Sequence, residues 1–279
     1  MPSSGQGAPR PDPLTEIVVT AERISDREHL DSVVIPHFIR SHAALAVKTG
    51  QIARWQSGIC PKTTGLDPPF NGFVSRRIAA VAKDLGVPVE RIGECSPNVS
   101  ILFTTEPQKQ LDWVSQNASV LLGFHYASQA RRIGTFNGTV RAWYVTATRN
   151  EDGLESIDSE FGETVGGPAA SRLTSGVSSV FRYVLVIADT NKVIDFTIGS
   201  VSDYIAMLVF SQAPSLGTCD ELPSILDLLS SNCQRTKPEA LTAGDTAYLK
   251  GLYRADAELV FTLQRSHIHN DMLSALAGR

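Results

Sequence analysis

The chain has 279 residues, 42% of them apolar and 19% charged, enough for one large domain or two small ones with a core of ordinary size. A formal net charge of −4 supplies no global attraction to nucleic acid or to an anionic membrane. No apolar run reaches the ~18 residues of a membrane-spanning helix.

Residues 1–14, rich in Pro, Gly and Ser, read as a flexible tail, and "MPSSGQGAPRPDP" has neither the basic nor the apolar region of a signal peptide. The tail extends to residue 28 and carries one good strand, Ile17, Val18, Val19 and Thr20. From there, 29–279 reads as a single domain. Residues 33–46 have helical spacing with Pro36 in a first turn, and 51–55 ("QIARW") reads as a short strand. Residues 70–86 form an amphipathic helix with Phe73, Ile78, Val81 and Leu85 on one face and Gly86 at its end. Strands are expected over 98–105, 139–148 and 180–189, with mainly helical segments between 108 and 133. An acidic, then Gly/Ser-rich connection spans 149–178. Residues 198–212 are apolar almost all round, which predicts a core helix, with Ser200 and Asp203 spaced as a capping box. A short helix follows between Cys219 and Cys233. The next helix, 241–256, has a second capping box at Thr242 and Asp245, and the last twenty residues read as helical. This order predicts an α+β fold, a mixed twisted sheet with helices on one side.

The four cysteines lack C-x-x-C spacing and fall into two neighbourhoods. Pairing Cys60 with Cys95 and Cys219 with Cys233 would close two local loops and points to an oxidising compartment, against the alternative of four buried thiols in the cytosol. A mature export product often begins with a Pro/Gly/Ser-rich tail, so the expected location is periplasmic or secreted, with the sequence starting after its cleavage site.

Chemistry-bearing residues are sparse. His267 and His269 point different ways on a helix, and His37 and His42 are five apart, poor spacing for a shared metal. His125 is a lone histidine in an apolar setting, a satisfied core residue before it is a base. The loop 165–178 is the best ligand site by composition: Gly166 and Gly167 free the backbone, Ser171, Thr174 and Ser175 offer hydroxyls, and Arg172 could hold a carboxylate or phosphate. A surface loop is the plainer reading of the same residues. Trp55, Trp113 and Trp143 are too scattered for a stacking platform. The pairs Arg76-Arg77 and Arg131-Arg132 sit in helical patterns and read as solvated faces, which leaves nucleic-acid binding unsupported.

Three stretches carry a resemblance. "IARW" at 52–55, the strand "VFRYVLVIAD" leading by a short turn into the core helix, and "LTAGDTAYLKGLY" at 241–253 resemble the zincin metallopeptidases, the metzincin branch in particular, and a related family of uncharacterised exported bacterial proteins. That resemblance implies a catalytic H-E-x-x-H on the core helix, where two histidines one turn apart bind zinc. The motif falls here on Ser202, Asp203 and Ala206, and its metzincin extension x-x-G-x-x-H on Val209 and Gln212, so no zinc ligand is present and none is expected; Asp203 stands at the position of the general base. "EIVVTA" resembles the TonB box, which adds as a strand to an energy-transducing partner. The expected protein is a non-catalytic zincin-like binding or accessory module without cofactor. The alternatives are a hydrolase working near 165–178, with Ser175, His125 or Asp203 as catalytic candidates, and a client of outer-membrane transport. Pairing of the N-terminal strand within its own domain competes with the partner role.

Overall fold

The structure, a computed structural model, describes residues 27–159, 165, 171–213 and 219–277. The strand-like Ile17, Val18, Val19 and Thr20, and the loop glycines Gly166 and Gly167, lie outside the described residues. Strands β1 (Pro61–Thr64), β2 (Val99–Thr104), β3 (Val140–Asn150), β4 (Glu155–Ile157) and β5 (Val177–Asp189) form one sheet in the order β1-β2-β5-β3-β4. β1, β2 and β5 run parallel, and β3 and β4 are antiparallel to their neighbours. The principal helices are α1 (Ile35–His42), α2 (Pro68–Asp84), α3 (Pro107–Asn117), α4 (Ile198–Ser211), α5 (Ala243–Arg254) and α6 (Phe261–Leu276). The mixed α+β class is therefore observed. A helical turn at Arg27–His29, continued by a π-type turn at Leu30–Val34, brings the end of the expected tail, Arg27 and Glu28, into regular structure.

Helices cover both faces of the sheet, not one. Val184, Val186 and Ala188 of β5 face the main core, while Leu185 and Ile187 pack with Trp143 against Leu111 and Val114 of α3. A strand covered on both sides reads as a continuous apolar run, which hides the second layer from periodicity. Other expectations shift for local reasons. "QIARW" is extended, but among the described residues it joins the sheet only by an isolated bridge from Arg54 to Val180. Phe73 points outward, and Val74 takes its place beside the expected Ile78 and Val81 on the buried face of α2. The connection after β3 begins as a hairpin, since β4 folds back on β3.

At the centre lies α4, in which every residue from Ser200 to Ser211 is buried. Its N-cap is Thr197, whose hydroxyl accepts from the Ser200 N–H at 3.1 Å. The expected Ser200/Asp203 box is thus replaced by a cap three residues earlier, which frees the Asp203 carboxylate for distant partners. The second box is as expected: Thr242 and Asp245 cap each other at the start of α5. Gly251 lets α6 come close, since a Cβ there would lie 3.1 Å from the Ile268 Cα.

Both disulfides form, Cys60–Cys95 and Cys219–Cys233, closing loops of 35 and 14 residues' separation. Paired Cys→Ser replacement of either should lower unfolding stability by about 3–4 kcal/mol, slightly more for the longer loop, read from denaturant midpoints.

Candidate functional site

The last carbonyls of a helix have no partner within it, and α4 ends inside the protein. Three aromatic side chains from three distant elements supply the donors. Tyr144 Oη of β3 donates to the Leu208 carbonyl at 3.0 Å, Trp55 Nε1 to Val209 at 3.0 Å, and Tyr253 Oη of α5 to Phe210 at 3.2 Å. Burial pushes the Tyr144 and Tyr253 phenols well above their usual pKa, so both stay donors. The neighbour of Trp55 does the same for α5: Arg54 Nη1 donates to the Leu252 and Ala255 carbonyls at 2.6 and 2.5 Å. Two adjacent residues thus close two helix ends.

A cavity of about 380 Å³ opens over it, lined by Arg54, Gln56, Arg149, Ser178 and Tyr253, with Glu151, Asp256 and Glu258 also on its wall. Arg54 is 3% exposed, and its Nε and Nη2 have no hydrogen-bond partner among the described residues. Burial pulls its pKa down, against the raising influence of Tyr253, Tyr248 and Asp256. A buried guanidinium without a carboxylate partner is costly, and the dipole of α5 offsets only a fraction of that charge. The cavity wall thus carries two guanidiniums, Arg54 and Arg149, and three carboxylates.

The residues singled out from sequence are not assembled into a catalytic centre. Asp203 accepts a fork from Arg77, Nε at 2.5 Å and Nη2 at 2.9 Å, and also the Leu241 N–H at 2.9 Å. Its hydrogen bond and charge raise the Arg77 pKa. Ser175 donates to the Val177 and Glu258 carbonyls, and the buried Gln51 amide nitrogen lies 2.7 Å from its hydroxyl. His125 is half-buried beside the Gly123 carbonyl rather than in the core. Ser171 Oγ accepts from the Leu173 and Thr174 N–H groups and lies 3.0 Å from Thr174 Oγ1, so these hydroxyls build the turn; Arg172 is exposed. Asp203, Ser175 and His125 share no hydrogen bond. Nor do the residues at the H-E-x-x-H positions fit zinc: Ser202 and Ala206 are fully buried among core side chains. Among the described residues no group of three His, Cys, Asp or Glu is arranged to hold a metal ion.

A Ser, a His and an Asp do meet elsewhere, unseen in the sequence. Ser224 Oγ donates to Asp245 Oδ1 at 2.6 Å and lies 3.0 Å from His42 Nε2, whose Nδ1 faces the Phe38 carbonyl at 2.8 Å. In a nucleophilic triad the carboxylate orients the histidine. Here it holds the serine, and it also accepts the Ile225 N–H and the Thr242 N–H and hydroxyl. All three side chains are buried, so the group acts as a structural knot between α1, α5 and the disulfide-closed segment 219–233. The capping-box spacing at Thr242 and Asp245 signals its local half; Ser224 and His42 lie too far off in sequence to be seen.

No protein-family model, curated protein or solved structure matches this chain.

Tyr144→Phe and Tyr253→Phe each strand a buried helix carbonyl, and each should cost about 1–3 kcal/mol in chemical unfolding. Asp203→Asn weakens the Arg77 fork and should destabilise by a similar amount, about 1–3 kcal/mol, by the same assay. Burial lowers the His42 pKa below its usual 6.5, against the opposing influence of Asp245, the Phe38 carbonyl, Asp220 and Asp227. The unfolded chain then takes up a proton at a pH where the folded chain does not, so this histidine costs stability as pH falls through 6.5. Unfolding midpoints measured from pH 7.5 to about 5.5 should fall less steeply in His42→Gln than in the parent.

Proposed function

We propose that this chain is an exported, zincin-like module that works by binding, without catalytic zinc, at the cavity over the Arg54–Trp55 junction. The observation that carries this reading is the burial of every α4 residue from Ser200 to Ser211, so that among the described residues the positions where a zincin holds its metal lie within the core. Arg54 of the first resembling stretch bridges to Val180 of the second and bonds the Leu252 carbonyl of the third, a convergence that supports the scaffold. The two disulfides support a periplasmic or secreted location. The hydrolase alternative near 165–178 has less behind it, because the Ser175 hydroxyl is committed to backbone carbonyls.

Ile17 to Thr20 serve in this proposal as a strand offered to a periplasmic partner, in the manner of a TonB box. Deleting residues 1–24 should then leave the unfolding midpoint unchanged; a clear loss would mean that the strand pairs within its own domain.

Elemental analysis of the purified chain should find no stoichiometric zinc, and a mixed-peptide substrate should stay uncut. One zinc per chain, or peptide cleavage abolished by a chelator, would overturn the zinc-free reading.

A further inference from the structure

A second cavity, of about 440 Å³, lies beside the C-terminal end of α4, within the usual size range of small-molecule sites. Its wall carries two arginines, Arg132 and Arg141, and no carboxylate; Ile133, Ala142 and Tyr144 make much of the rest apolar. We propose that this cavity binds a small organic carboxylate with an apolar body, its charged end held by Arg132 and Arg141 and its body against Ile133, Ala142 and Tyr144.

Arg141 donates to the backbone carbonyls of Thr135 and Arg132. Neither guanidinium has a carboxylate partner among the described residues, although the chain carries more acidic than basic side chains. Burial, and then the charge of Arg132, push the Arg141 pKa down, so the repulsion between the two is unrelieved. The end of α4 contributes only about half a negative charge, and three of its last carbonyls already accept aromatic donors. Two full positive charges exceed that dipole. A carboxylate would neutralise them, and the planar fork of arginine suits it.

Gln212 on the same wall is a separate sign of function. It adopts the left-handed conformation at the C-cap of α4, φ 49° and ψ 26°, where glycine is the usual residue. Its buried Oε1 has no donor among the described residues. A strained residue with an unsatisfied acceptor on a cavity wall fits a ligand that also offers a hydroxyl or N–H. This site is independent of the zincin resemblance and of the Arg54 cavity.

Titration calorimetry of the full chain at low ionic strength tests the assignment, with decanoate and inorganic phosphate as probes. Decanoate should bind once per chain, more tightly than phosphate. Arg132→Gln should weaken it about tenfold or more, the loss of one charge-assisted bond. Arg132 is exposed and gives the fold only its backbone carbonyl, so that variant keeps its structure; Arg141→Gln is measured beside it. Arg91→Gln, a surface charge elsewhere, should leave binding unchanged. Absence of saturable decanoate binding, or equal losses in Arg132→Gln and Arg91→Gln, would overturn the site. Phosphate binding as tight as decanoate would overturn the apolar half of the ligand.

Discussion

A helix with no polar face has to be covered everywhere, and α4 sets that requirement for the whole molecule. Hydrophobic burial alone does not orient the covering elements, because it is non-directional. Direction comes from the few polar groups on α4. Asp203 near its start takes Arg77 from α2 and the backbone just before α5. Its last carbonyls take Tyr144 from β3, Trp55 from the 51–55 segment and Tyr253 from α5. Each of these neighbours is thus held at a particular height along the helix.

The polar residues that look chemical in the sequence are mostly consumed in this way. Asp203, Ser175, Ser171, Asp245 and His42 all spend their hydrogen bonds on backbone groups or on structural side chains such as Arg77 and Ser224. Arg54, Arg132 and Arg141 each line a cavity, and none of them makes a salt bridge among the described residues.

Much of the architecture was legible from local pattern. The apolar stretch 198–212, the capping box at Thr242 and Asp245, and the clustered cysteines each carry their signal within a few residues, and all three appear as expected. The second layer over the sheet was not legible, because β5 is buried on both faces and shows no alternation. Nor was the N-cap of α4, where Ser200 and Asp203 have the right spacing but Thr197 has the right backbone. The candidate sites were least legible of all. Arg54 lies about 200 residues from the carbonyls it caps, and Arg141 is read from sequence only as one position in an alternating strand.

The adjacency of Arg54 and Trp55 has a geometric meaning beyond the hydrogen bonds themselves. Successive side chains of an extended segment point in opposite directions, and one peptide unit spans a set distance. With one residue bound to the end of α5 and the next to the end of α4, the short segment works as a gauge block between two helices. It tolerates changes of side chain far better than changes of length, since one inserted residue would leave one helix end reaching for a donor that now faces the other way.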